Sequence, residues 1–404
     1  MKKAPRYTSI AYFAVQGGYW MSVCIANSYA AVFLQHRGYS NAALGLVLAA
    51  GNIAGFLLAP NLASLVDRSR RVTVYHCIWT LLAAQALILI GFTLIPGKSL
   101  MLSLLYCLYM ATVVAVNPLN TELCFDLARW TRPVSYSPAR GVGSLCYALM
   151  SLAMGQLTLR LGADVHPYAG LFCLLCQVIS TGIITWARSR VRLEGTGGGG
   201  ERREQGLGLL AFIRANARFC LLMFSLALLF FSYNMADFFL INILHNIGGD
   251  AGDLGSISAF KALMEIPVML FYTQLTGRFR CSAVMRFAAL AFIAKALVMT
   301  MAGSVGMLYA ANLLQALSFA LMIPAMVQYV NLVIDPKDSA KGQAIANGMM
   351  TLGSIFASLI GGQLYDALSV HATLIIGVVI AVWVVSRVMR KIVCRLRLNE
   401  VIRQ

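Results

Sequence analysis

Twelve apolar stretches of about 18 residues or more run through the chain, beginning near Ser9, Ala42, Val72, Leu100, Gly141, Ala169, Phe219, Leu254, Ala283, Val305, Ile345 and Ala372. A helix of that length matches the hydrocarbon thickness of a bilayer, at about 1.5 Å of rise per residue. Lipid offers no partner to a bare N–H or C=O, so a spanning segment must be a helix or part of a closed barrel, and runs this long read as helices. The expected fold class is therefore all-α and integral to a membrane, with twelve transmembrane helices. Composition agrees: 59% of residues are hydrophobic, only 12% are charged, and mean hydropathy is +0.75. Soluble domains carry about 25% charge, so a soluble enzyme is excluded. Twelve spans leave the 404 residues no room for an extramembrane catalytic domain, and no enzymatic activity is expected.

The net charge of +17 raises the question of nucleic-acid binding, and its distribution answers it. Most of the 32 Lys and Arg residues fall in the N-terminus, in every second loop and in the C-terminus. Arg37, Lys98 and Arg160 fall in the alternate loops, and Arg140, Lys261 and Lys295 lie inside apolar spans. That asymmetry is the positive-inside pattern of a multi-pass protein with both termini in the cytoplasm. Membrane spans separate the basic clusters, so no nucleic-acid partner is expected; a bacterial inner membrane is. Lys2, Lys3 and Arg6 precede the first run, which is too long for a signal peptide and lacks a small-residue cleavage site, so it reads as a retained helix.

The longest break in hydrophobicity holds Gly197 to Gly200 between Arg188, Arg190, Arg192 and Glu201, Arg202, Arg203. It reads as a flexible basic cytoplasmic linker. Six spans precede it and six follow, giving an expected N-terminal six-helix bundle over 1–188, a linker over 189–214 and a C-terminal bundle over 215–404. The Gly run follows no strand and lacks the Lys and Ser/Thr of a phosphate-binding P-loop. The ten cysteines sit mainly in apolar spans, and the C-x-x-C of Cys173 and Cys176 has no second pair. His36, His76, His166, His245 and His371 are scattered without zinc spacing. Neither a cofactor nor a metal is expected.

Ionisable residues inside spans are costly and mostly face a bundle interior, a cavity or a partner, so they are the best functional pointers here. The set is Glu122, Arg140, Asp237, Lys261, Glu265 and Lys295, with Asp126 nearer the cytoplasmic surface. Helical rise puts Asp237 and Lys261 at one depth, about 10 Å below the outer surface. Glu265 follows Lys261 by four residues on one helix face, and Lys295 lies at similar depth. A charge cluster is therefore expected in the second half. In the first half Glu122 and Arg140 are expected to meet across a turn. Both groups read either as structural locks or as titrating acids with bases that hold substrate.

Polar and aromatic residues complete a candidate pocket: Tyr19, Trp20, Asn27, Asn117, Asn120, Ser144 and Tyr147, with Asn234, Gln315, Gln328 and Asn331 from the second half. Rings beside amides suit a hydroxylated ligand. Interhelical hydrogen bonding is the competing reading for each.

The six-plus-six arrangement around a basic central loop resembles the major facilitator superfamily. The stretch Ala63 to Arg71, with Asp67, Arg68 and Arg71, looks like that superfamily's cytoplasmic gating loop after the second helix, with Ala63 at the first Gly. Gly277-Arg278-Phe279-Arg280 looks like its shorter counterpart in the second half. Within the superfamily, Asn117 to Tyr147 resembles the oligosaccharide:proton symporter branch. There an acid late in the fourth helix and an arginine in the fifth hold the sugar; Glu122 and Arg140 stand at matching spacing, followed by Gly143, Ser144 and Tyr147. Asp237, Glu265 and Lys295 fall where that branch carries an acid, an acid and an arginine, whereas Gln315 and Ser318 replace its coupling histidine and glutamate. The run Lys341 to Asp366 looks like the tenth-to-eleventh helix region of these permeases and of related nucleoside and phenylpropionate permeases.

The resemblance implies a monomeric secondary transporter of the major facilitator fold, two bundles rocking around a midplane site. The expected partners are the lipid bilayer, a small-molecule substrate and a proton or other coupling ion. The leading expectation is proton-coupled symport of a sugar or small oligosaccharide, with Glu265 or Asp237 taking the proton beside Lys261 and Lys295. The alternatives are a nucleoside, aromatic-acid or drug transporter, and a non-transporting membrane sensor.

Overall fold

The computed structural model describes residues 7–69, 72–130, 136–190, 209–277 and 279–389. Among them are sixteen α-helices and no strand. In order they are α1 (Tyr7–Val23), α2 (Ala30–His36), α3 (Asn41–Arg68), α4 (Val74–Leu94), α5 (Leu100–Trp130), α6 (Tyr136–Leu161), α7 (His166–Ser189), α8 (Leu209–Ala215), α9 (Ala217–Phe238), α10 (Leu240–Asn246), α11 (Ala251–Thr276), α12 (Cys281–Thr300), α13 (Val305–Leu313), α14 (Phe319–Val333), α15 (Ser339–Ala367) and α16 (Val370–Trp383). Most of the expected linker, residues 191–208 with Gly197 to Gly200, lies outside the described residues, as do Arg70, Arg71 and Arg278.

Among the described residues nine helices are long and apolar enough to cross a membrane. The other three expected spans are present as interrupted segments over residues 7–36, 305–333 and 370–389. A few helix starts carry side-chain caps that satisfy orphan N–H groups of the first turn. Ser40 and Ser369 accept from the N–H of Ala43 and Ala372, and Asp250 Oδ1 accepts from Gly252 at 2.8 Å and Asp253 at 3.0 Å. Gly38, Gly162 and Gly248, at φ 86°, 81° and 80°, follow the ends of α2, α6 and α10. A positive φ after a helix is where glycine avoids a Cβ clash.

The chain forms two compact units, Met1–Gly197 with Asp250–Ala262, and Gly198–Gly249 with Leu263–Gln404. α11 is thus shared: its first turns pack with the first unit. Small residues make that approach close, since a Cβ at Gly255 would lie 2.5 Å from the Ser151 carbonyl and one at Gly155 would lie 2.9 Å from that of Ala251. Within the second unit α9 packs on α15 at Gly353, where a Cβ would meet the Ala227 carbonyl at 2.5 Å. Lipid gives helices no hydrophobic drive to associate, so such backbone approach and interhelical hydrogen bonds carry the packing.

The interruption in the first span is a π-helical turn, Cys24–Ser28, between α1 and α2. Its displaced carbonyls find side-chain donors on other helices: Tyr106 Oη donates to Ala26 at 3.1 Å, and His166 Nε2 lies 3.1 Å from the Ile25 oxygen. A carbonyl only accepts, so Nε2 carries the proton. The imidazole stacks on Phe33, with ring centroids 4.4 Å apart, and the neighbouring rings of Phe92, Tyr106 and Tyr109 fill the surroundings. Tyr106→Phe keeps the ring and removes a donor from the Ala26 carbonyl, an expected loss of about 0.5–1.5 kcal/mol. A lowered melting temperature in detergent checks this; an unchanged one would mean that the turn does not depend on the tyrosine.

Candidate functional site

In the first unit the side chains converge on Arg140, near the start of α6. Its guanidinium lies over the Trp20 ring, 3.5 Å from the centroid, and donates to Ser144 Oγ at 2.6 Å. Gly143 makes room for this stack, because a Cβ there would collide with the indole. Tyr19 meets Trp20 edge-on at 5.4 Å. The Trp20 Nε1 is buried and finds no hydrogen-bond partner among the described residues. One turn further along α6, Tyr147 shares a 2.5 Å hydrogen bond with Ser28, beside Asn27 in the π-turn, whose amide donates to the Val23 carbonyl.

The expected meeting of Glu122 and Arg140 is not found. Glu122 is exposed, and no ion pair joins the two among the described residues. The reason lies in α5: Asn120 is turned into the bundle, 1% exposed, and a two-residue step of about 200° puts Glu122 on the other face. Asn117 is also exposed. Among the described residues neither amide atom of buried Asn120 has a partner, while its backbone oxygen accepts from Tyr12 Oη at 3.0 Å. Asp126 accepts from Tyr75 Oη at 2.7 Å.

The second unit holds a buried polar chain. Lys295 Nζ donates to Gln315 Oε1 at 2.6 Å, and Gln315 Nε2 donates to Glu265 Oε1 at 2.8 Å and to Tyr233 Oη at 3.1 Å. The ammonium also lies over the Tyr233 ring at 5.0 Å. Lys295 is 3% exposed, Glu265 8% and Gln315 fully buried. Gln315 reaches both charges because the tenth span is broken: it sits in the turn between α13 and α14, where the Gln315 carbonyl accepts from the Ala320 N–H. Asp237 and Lys295 line one recess between α9, α12 and α13. Lys261, 6% exposed, lies in the part of α11 that packs with the first unit. Asn234 bridges to Ser354, Gln328 accepts from Tyr272, and Asn331 accepts from Ser339 and Gln343, so these three join helices of the second unit. No group able to hold a metal ion occurs among the described residues.

A model of the MFS_1-like family matches residues 9–376. The chain belongs to that family. It is a multi-pass membrane transporter of the major facilitator kind. Among curated relatives, this transporter is 25% identical over 347 residues to the maltose permease of Geobacillus stearothermophilus, covering 84% of each chain. It is 23% identical over 346 residues to the uncharacterized transporter YwbF of Bacillus subtilis (strain 168), covering 82% of this chain and 80% of that one. Solved structures of the same fold include the nucleoside transporter NupG, with TM-score 0.75, 16% identity and coverage of 95% and 97%. The POT family transporter PepTSo matches with TM-score 0.71, 11% identity and coverage of 98% and 99%.

The residues expected to form a cytoplasmic gating loop, Asp67, Arg68 and Arg71, fall at the end of α3 and beyond it. The side chains of Asp67 and Arg68, and Arg71 as a whole, lie outside the described residues. Two features escaped the sequence reading: the seating of Trp20 on Gly143 and the bridging role of Gln315. Trp20→Leu removes the ring beneath Arg140, an expected loss of about 0.5–2 kcal/mol, checked as a melting shift that Trp20→Phe largely restores.

Proposed function

We propose that this transporter carries a sugar or small oligosaccharide by proton-coupled symport through alternating access, across a bacterial inner membrane with both termini cytoplasmic. The observation that carries the substrate reading is the Arg140 guanidinium held between the Trp20 face and Ser144. An aromatic surface beside fixed hydrogen-bond donors matches a pyranose, which offers apolar C–H faces and a rim of hydroxyls. Tyr147, one turn along α6, adds a second ring and a hydroxyl. The name of the maltose permease relative supports the same class. Coupling is assigned to the acids of the second unit, Asp237 and Glu265, beside Lys295.

The test is a thermal-shift screen of the detergent-purified protein with maltose, lactose, uridine, benzoate and a cationic dye, since a ligand of the folded state raises stability by mass action. A shift with maltose or lactose that is lost in Arg140→Ala is the expected result. A shift with uridine, benzoate or the dye and none with sugars would overturn the substrate class.

A further inference from the structure

The two acids of the second unit sit in different surroundings, and that difference divides their roles. Glu265 is buried and accepts from Gln315, whose carbonyl end is taken by Lys295. A glutamine amide does not titrate, so it links the two charges without relaying a proton between them. Placing a proton on Glu265 would cancel the negative end of a buried chain whose positive end stays in place, which is costly in a low-dielectric interior. Asp237 is only half-buried and lies on the wall of a recess shared with Ser232, Tyr233, Lys295, Ala296 and Asn312. The recess has room for a water molecule or two, and Asp237, Lys295 and Asn312 on its otherwise largely apolar wall supply the hydrogen bonds such water needs. It is also bounded by Leu240 and Met299, close to the helix ends at Phe238 and Thr300.

We propose that Asp237 is the group that takes the coupling proton, from water in this recess, and that Glu265 serves as the fixed counter-charge of Lys295 across Gln315. The inference rests on the proton-coupled reading above. In the step itself the carboxylate of Asp237 gains one proton from recess water and later returns it, with no other bond made or broken. The groups around the recess set its balance. Among the described residues that line it, Lys295 from α12 is the cation, Asn312 from α13 and Ser232 and Tyr233 from α9 are neutral dipoles, and α16 contributes Ala381. Glu265 from α11 stands behind Gln315. Lys295 thereby belongs to both halves of the device, facing Asp237's recess while bonded to Gln315.

The test is a pH titration of the full-length protein in lipid by infrared difference spectroscopy, without any substrate. On acidification the wild type should gain a protonated-carboxyl band that is lost in Asp237→Asn and retained in Glu265→Gln. Ala296→Leu, which fills the recess and leaves both acids in place, should slow deuterium exchange of that band. A band that survives Asp237→Asn or disappears in Glu265→Gln overturns the assignment, and unchanged exchange in Ala296→Leu overturns the route. Because no sugar enters this measurement, it stands apart from the maltose screen: failure of that screen leaves the band intact, and failure here leaves sugar binding intact.

Discussion

Gln315→Leu is expected to lower stability by about 3–5 kcal/mol, the scale seen when one member of a buried ionic network is removed. The leucine fills much of the same space, so the loss comes from polarity. Lys295 Nζ loses its 2.6 Å acceptor and Glu265 loses its 2.8 Å donor, in a region where Gln315 is fully buried and both neighbours nearly so. The Tyr233 hydroxyl loses a donor as well. Heat-induced aggregation in detergent measures this, and the double variant Lys295→Met with Gln315→Leu should recover part of the loss by removing a buried ammonium that has lost its 2.6 Å acceptor. A Gln315→Leu protein as stable as wild type would mean that the network contributes nothing.

Arg140→Ala is expected to weaken sugar binding by about 1.5–3 kcal/mol, or about 10- to 150-fold, the value of a hydrogen bond to a charged group. Stability should change less than binding, because Trp20 keeps its contact with Tyr19. Arg140→Lys should also fail to restore full affinity. An ammonium carries charge but has neither the flat face that lies 3.5 Å above the indole nor the rigid fork of donors, one of which reaches Ser144. Isothermal titration with maltose reads both variants; full affinity in Arg140→Ala would remove the arginine from the site.

How much of this was legible in the sequence depends on whether the signal was one of length or of direction. The spans were legible because about 18 apolar residues have one low-energy solution in a bilayer, and the nine continuous helices follow from that alone. Interruptions were not. Cys24–Ser28 contains neither Pro nor Gly, and its π-turn is held by Tyr106 and His166, which are distant in sequence. The unwinding around Gln315 likewise carries no local breaker; Pro324 lies farther along, inside α14.

Within the site, residue type was readable and facing was not. A soluble helix shows its outward face by its charges, but in lipid both faces are apolar, so the pattern around Asn120 and Glu122 did not say that one turns inward and the other outward. Spacing alone therefore put Glu122 beside Arg140, whereas the arginine lies on Trp20, a residue more than a hundred positions earlier. Gly143 was noted as a small residue, and its reason emerges only with the indole packed against it. In the second half Glu265 and Lys295 at compatible depths were legible, and Gln315 as a polar pocket residue, but the amide as the bridge between the charges needed the broken helix.

The measurement that bears most directly on the account is uptake of radiolabelled maltose into proteoliposomes of the purified transporter, with and without an imposed inward proton gradient. Accumulation above the external concentration is expected only with the gradient, abolished by a protonophore and absent in Arg140→Ala. Maltose that fails to enter under either condition, while uridine accumulates in the same vesicles, would contradict it.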